Sequence, residues 1–309
     1  RESEPRIRPF PGRKDSGSYI MKTQLTFLGT GTSQGIPVIG CECEVCKSRD
    51  PKDNRFRSSA LVKYGDITIL VDCGPDFRIQ MLREDVQHLD AVLLTHSHKD
   101  HTGGMDDLRS FNLLEHKPIN IYCEEYVENS LKKEYSYAFT EHHYPGVPEW
   151  GIKRIDGHTP FMVEPNDTLP RLVWVSGVGY HKERPELTSP VRQSVEVIPI
   201  QGYHDAEKTF SVLGFRFGDI AYITDFKTMD DSELEKLRGL SAVTLNCVGF
   251  KPHHSHFNLE QAIEMARRIG AKDTYLTHLA HALGTHVQLE ALLPEGIHAA
   301  YDGLTIESE

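Results

Sequence analysis

The run Thr95-His96-Ser97-His98-Lys99-Asp100-His101 decides the reading of this chain. It follows a short apolar strand pattern, Asp90 to Thr95, and precedes Gly103-Gly104, after which a helical pattern opens toward Leu113. Strand alternation places His96, His98 and Asp100 on one side, and a tight turn after Asp100 brings His101 to a neighbouring position. Imidazole and carboxylate together suit Zn, Mn, Fe or Co, whereas calcium takes oxygen ligands throughout. A surface loop with incidental histidines accounts for two such residues, but not for His-x-His-x-Asp-His set between a strand and a helix.

One loop is too small a ligand set for two metals, so further histidines and carboxylates are expected at the ends of later strands. His204 follows strand 195 to 200, Asp225 ends strand 220 to 224, and His278 ends strand 273 to 277. Each is a polar residue at the carboxyl end of an apolar strand, where a sheet presents side chains to a cleft. A second ligand set is made by Cys41, Cys43 and Cys46, one short of the tetrahedral complement of a closed zinc site. His281, three residues after His278, is the candidate fourth ligand. Cys73, Cys123 and Cys247 sit in strand contexts and read as small buried hydrophobes.

Working outward, Lys22 to Leu28, Ser59 to Tyr64 and Ile67 to Val71 alternate like strands, with Gly65-Asp66 as a hairpin signal. Residues 124 to 135 look helical, while 136 to 192 show no clear period, as in an insertion or lid. Strand patterns resume at Val195 to Ile200, Phe210 to Phe217, Ile220 to Thr224, Ala242 to Cys247 and Asp273 to Thr277, with a helical stretch at Leu234 to Leu237. Asn258 is placed to cap a helix whose apolar face is Leu259, Ala262, Ile263, Ala266 and Ile269. Two halves, each strand-rich and followed by helix, predict an α/β four-layer αββα sandwich.

The 309 residues carry a formal net charge of -11 and no basic tract, which argues against long nucleic acids as partners. The cysteine spacing fits one metal better than a disulfide framework and favours a reducing compartment. No apolar stretch reaches the roughly 18 residues of a membrane span, so the reading is cytoplasmic, without membrane partners. Residues 1 to 20, rich in Arg, Pro and Gly, read as a tag or flexible arm ahead of one domain over 21 to 309.

The ordered ligand set resembles the metallo-β-lactamase superfamily across nearly all of Met21 to Glu309. That resemblance implies one metal on His96, His98 and His204 and a second on Asp100, His101 and His278, with Asp225 bridging. Gly29-Thr30-Gly31-Thr32-Ser33, the Cys-x-Cys-x-x-Cys loop, Arg57-Ser58-Ser59, Asp72-Cys73-Gly74, His254-Ser255-His256-Phe257-Asn258 and Thr277-His278-Leu279-x-His281 narrow it. They look like the phosphoribosyl cyclic phosphate phosphodiesterases of the carbon-phosphorus lyase pathway. The resemblance weakens across 124 to 192.

What the resemblance implies is hydrolysis of a small cyclic phosphodiester by water activated between two divalent ions, Mn or Zn, plus one structural zinc on Cys41, Cys43, Cys46 and His281. It puts His256 and Asp100 among the catalytic residues, His256 as the acid that protonates the leaving alkoxide. The expected partner is a small-molecule phosphodiester, with the chain alone or as a homodimer. Three rival readings stay open: a thioester or lactone hydrolase on the same core, a transfer-RNA 3′-processing nuclease, and a non-catalytic metal-stabilised binding module.

Overall fold

The computed structural model describes residues 21–140, 146–166, 171–175, 179–183 and 192–308, with 171–175 and 179–183 described by backbone alone. The arm expected at residues 1 to 20 lies outside the described residues.

Side-chain alternation with a period of two builds both sheets and sorts each strand's residues between two apolar layers. In β1 (Thr23–Gly29), Leu25 and Phe27 enter the space between the sheets while Leu28 joins the opposite face. In β3 (Ile67–Val71), Ile67, Ile69 and Val71 point inward and Leu70 outward. With β2 (Ser59–Tyr64), β4 (Ala91–Leu93), β5 (Ile119–Cys123) and β6 (Trp150–Arg154) these strands form one sheet, closed at its far edge by β17 (Thr305–Glu307). Its order is β17-β1-β2-β3-β4-β5-β6.

The second half repeats the arrangement. β10 (Val195–Tyr203), β11 (Ser211–Phe217), β12 (Ile220–Tyr222), β13 (Thr228–Met229), β14 (Ala242–Asn246), β15 (Asp273–Thr277) and β16 (Ile297–Ala299) make a sheet in the order β13-β10-β11-β12-β14-β15-β16. Of the stretch expected as an insertion, β6 belongs to the first sheet and β7 (Phe161–Val163) pairs with β10. Among the described strands of that stretch, β8 (Arg171–Val175) and β9 (Gly179–Glu183) pair with neither sheet and form a two-stranded hairpin of their own.

Helices cover both outer faces and complete the four-layer sandwich. On the first sheet, α1 (Phe77–Arg83), α3 (Arg109–Glu115) and α4 (Glu125–Glu134) bury Phe77, Met81, Phe111, Val127 and Leu131. On the second, α5 (Leu259–Ile269) and α6 (His286–Glu290) bury Ala262, Met265, Ile269 and Leu289. α5 starts where the sequence places it, because Asn258 accepts the Gln261 N–H while Gln261 returns a bond to the Asn258 N–H. Cys73, Cys123 and Cys247 are buried in these layers, as read from the sequence. Among the described residues no helix is long and apolar enough to cross a membrane.

One local expectation is corrected. The strand ahead of the histidine run stops at Leu93, so alternation does not continue through His96, His98 and Asp100. The physical reason is that Thr95 donates its N–H to the Asp72 carboxylate at 2.8 Å, not to a neighbouring strand. The chain then winds into α2 (Lys99–Thr102), a single helical turn whose N-cap is His98.

Candidate metal centres

Asp72, the histidine run, His204, Asp225 and His278 follow the carboxyl ends of β3, β4, β10, β12 and β15, so both sheets feed one cleft. Three of these hinge residues adopt the left-handed backbone region: Asp72 at φ 62°, Asp225 at φ 61° and His278 at φ 56°. Non-glycine residues there are strained and persist where the surroundings over-determine them. Close backbone approach is needed too. A Cβ on Gly74 would stand 2.2 Å from the Asp100 carbonyl oxygen.

The imidazoles crowd together, His98 meeting His96 and His204 edge to face while His96 is tilted against His101 and His204. Ring centres of His96 lie 4.2 Å from His101, 4.6 Å from His98 and 5.5 Å from His204, and those of His98 and His204 are 4.9 Å apart. Asp100, His101, Asp225 and His278 form one group of ligand atoms within 4.8 Å of one another. His204, Asp225 and His256 form another, so Asp225 is common to both. Asp100, His101, Asp225 and His278 are thus brought together as one group of ligand atoms, whereas His204 groups with Asp225 and His256, closing on His256 at 4.6 Å between ring centres, more tightly than on His96 and His98.

Hydrogen bonds fix which nitrogen each ring presents. Thr95 Oγ1 donates to Asp72 and so accepts the Nδ1–H of His96 at 2.9 Å. Asp72 Oδ2 accepts that of His101 at 2.6 Å, and the Asp225 carbonyl that of His204 at 2.7 Å. Ser58 Oγ, which donates to the Gly31 carbonyl, accepts from His278 Nδ1 at 3.1 Å. His96, His101 and His204 therefore turn their Nε2 lone pairs toward the cleft, whereas His278 Nδ1 also lies 3.2 Å from Asp225 Oδ1. His96 Nε2 and His101 Nε2 are buried without a hydrogen bond, although Asp100 and Asp225 oxygens lie 3.3 and 3.4 Å from the latter. Buried polar atoms left without partners beside carboxylates are what a cation would satisfy.

The electrostatics agree with that fit. Burial holds His96, His98 and His204 below the ordinary imidazole range and takes His278 down to about 4, leaving them neutral donors of a lone pair. Burial opposes charge on His101 as well, but Asp225, Asp100 and Asp72 outweigh it and raise this one ring. For Asp225, burial is overcome by His278 and His101, and for Asp100 by His101, so both carboxylates stay ionised.

A second cradle stands beside the cleft. His281 Nδ1 is 3.3, 3.4 and 3.5 Å from the sulfurs of Cys41, Cys43 and Cys46. That is close to the about 3.5 Å edge expected between sulfur and nitrogen ligands of a tetrahedral zinc. The Cys46 N–H, directed at the Cys43 sulfur, brings that thiol down to about 6, while burial pushes Cys46 up to about 11. The turn from His278 to His281 serves both sets of side chains.

His256 lines the cleft, with its Nε2 3.2 Å from Asp225 Oδ2. Thr32, Ser33, Val38, His253, His278 and His281 are among the other residues that line this recess, about 320 Å³ in volume. The sequence reading did not single out Asp72, Thr95, Ser58, His253 or Ser255 as site residues. Asp72 carried a signal, an acidic residue directly after an apolar strand; Thr95, Ser58 and Ser255 stand inside the quoted motifs, but a hydroxyl near a histidine has no spacing that marks it as part of a site.

Comparison with known proteins agrees with this geometry. A family described as the beta-lactamase superfamily domain matches residues 68–279. The chain is 36% identical over 279 residues to an octanoyltransferase of Porphyromonas gingivalis, which covers 90% of this chain and 50% of that protein. It spans half or less of the length of the curated relatives it first matches. Among solved structures, a diphosphatase from the PhnP family superposes with a TM-score of 0.74 and 33% identity, covering 93% of this chain and 98% of the other. Zinc-bound PqqB from Methylobacterium extorquens shares the fold at a TM-score of 0.65 and 19% identity, covering 92% and 99%.

Proposed function

Since the chain belongs to the beta-lactamase superfamily, whose fold implies divalent metal binding, we propose that it is a metal-dependent hydrolase acting on a small cyclic phosphodiester. His96, His98 and His204 would hold one divalent cation and Asp100, His101 and His278 the other, Mn or Zn, with Asp225 shared between them. Such a pair supplies an activated water and neutralises charge growing on phosphoryl oxygens. Cys41, Cys43, Cys46 and His281 would hold a structural zinc that fixes the loop bearing Val38, whose N–H points at Cys46 sulfur.

The observation that carries the phosphodiester reading is His256. It adjoins Asp225 from the open side of the cleft, where it can hand a proton to a departing alkoxide. Acyl hydrolysis at such a centre has less need of a separate acid. Asp100, kept ionised beside His101, contributes fixed negative charge to the group of ligand atoms where attack occurs. Similarity to a diphosphatase over nearly the whole length of both chains supports phosphoryl chemistry. The recess suits a small substrate, and the net charge of -11 is adverse to a long nucleic acid.

An acyl substrate is the second reading, because the octanoyltransferase relative shares 36% identity with this chain. Half of that protein lies outside the match, so its name does not transfer to the shared half. Assay of the metal-loaded protein on a cyclic ribose phosphate, bis(p-nitrophenyl) phosphate and a thioester separates the two. Turnover of the phosphodiesters is expected; turnover of the thioester alone would overturn the proposal. His256→Ala should lower turnover of the cyclic phosphate by roughly 10²- to 10⁴-fold with metal content intact. Loss of metal instead would make His256 a ligand, as its grouping with His204 and Asp225 allows.

A further inference from the structure

The loop between β14 and α5 carries a buried hydroxyl with two imidazoles around it. Ser255 Oγ lies 2.9 Å from His256 Nδ1 and 3.2 Å from His253 Nδ1, and the two ring nitrogens are 3.2 Å apart. The Ser255 N–H also points at His253 Nδ1, at 3.3 Å. A nitrogen that receives an N–H is unprotonated, so His253 carries its proton on Nε2, and its one Nδ1 lone pair is shared between the Ser255 N–H and the Ser255 hydroxyl. Ser255 Oγ can then receive only a donor from its other side, which is His256 Nδ1–H.

We propose that Ser255 and His253 are positioning residues for His256, locking its ring so that Nδ1 faces the protein and Nε2 faces the reacting phosphate. The inference rests on the reading of His256 as the acid. Three features of the loop support it beyond the distances. Ser255 is buried, although serine is seldom buried without a task. His253 lines the same recess as His256, and their ring centres are 5.0 Å apart, so the second ring backs the first. The loop is anchored at the His256 end of this cluster: the His256 carbonyl accepts from Lys227 at 3.4 Å, the Phe257 carbonyl accepts from the Val248 N–H, and the Phe257 N–H donates to the Phe226 carbonyl. The backbone holds the imidazole near Asp225, and the Ser255–His253 pair sets its rotation from the Nδ1 side, opposite the 3.2 Å contact of Nε2 with Asp225 Oδ2. A rotated His256 would remain in the cleft and present no proton to the leaving group.

An acid matters in proportion to how poor the leaving group is, and this gives the test. Ser255→Ala is compared with the wild-type protein on a cyclic ribose phosphate, which expels an alkoxide, and on bis(p-nitrophenyl) phosphate, which expels a stabilised phenolate. The expected result is a kcat loss on the order of tenfold greater for the alkoxide than for the phenolate, a part of the roughly 10²- to 10⁴-fold that proton transfer contributes. KM should change little, Ser255→Thr should restore the kcat, and Ser255→Ala added to His256→Ala should cost nothing further. Imidazole ¹⁵N shifts of His256 in the zinc-loaded protein should report a protonated Nδ1, lost or mixed in Ser255→Ala. Equal losses on both substrates, or an unchanged ¹⁵N signature, overturn the positioning role. If His256→Ala shows the leaving-group dependence and Ser255→Ala does not, positioning alone fails; if His256→Ala shows none, the acid reading fails with it.

Discussion

Asp72 Oδ2 accepts a 2.6 Å hydrogen bond from His101 Nδ1, and neither residue has any surface exposed to solvent. The same carboxylate takes the N–H and hydroxyl of Thr95, which in turn orients His96. One buried acid thus aims two imidazoles, one from each proposed cation site. Carboxylate-histidine pairs of this kind fix the ring and raise its basicity as a ligand.

Asp72→Asn keeps the shape and removes the charge. It should weaken metal binding by about 10- to 100-fold with the fold retained, measured by competition with a chelator and by circular dichroism. Unaltered affinity would show that Asp72 serves backbone geometry alone.

Gly74→Ala tests the close approach beneath the histidine run. The added methyl meets the Asp100 backbone carbonyl at 2.2 Å, with no flexible side chain to yield. Denaturant unfolding should show a loss of about 1–3 kcal/mol, and bound metal should fall with it because Asp100 moves.

Cys46→Ala should reduce the metal content of the purified protein by about one ion per chain and lower its melting temperature, since closed zinc sites contribute folding energy. Elemental analysis and calorimetry check both. An unchanged metal count would remove the cysteine cluster from the metal sites.

His88 gives a pH dependence away from the metals. Its Nδ1 donates to Glu115 at 2.6 Å and its Nε2 to Asp90 at 2.9 Å, tying α3 to the base of β4. Burial opposes charge on the ring, but the two carboxylates outweigh burial and raise His88 above its ordinary value. A raised folded-state pKa means that the stabilisation is complete below the unfolded value, about 6.5, and is lost as pH rises through the folded one. The stability difference between wild type and His88→Gln should therefore shrink as the pH is taken from 6 to 9. A difference that stays constant or grows would contradict the ion pairing.

Much of the site could be read from the residues, because ligand chemistry is a property of the side chain itself. The order His96, His98, Asp100, His101, His204, Asp225, His278 survives folding as one cluster, and Cys41, Cys43, Cys46 and His281 as another. The supporting layer could not be read so well, since Thr95, Ser58 and Ser255 act through single hydrogen bonds whose partners lie on other elements. The stretch 136 to 192 resisted for another reason: β6 and β7 are short strands at positions where period is hard to count.

The sequence alone determined the fold class, the Asn258 cap and which residue types gather in the two candidate centres, because apolar periodicity and side-chain type are local quantities. Tertiary structure alone decided that Asp72 steers His101 and that His256 closes on His204 and Asp225. Those outcomes depend on left-handed turns at residues 72, 225 and 278, which redirect each side chain after its strand has ended. No repeat in the sequence encodes that rotation; it is imposed by the two sheets meeting at one cleft.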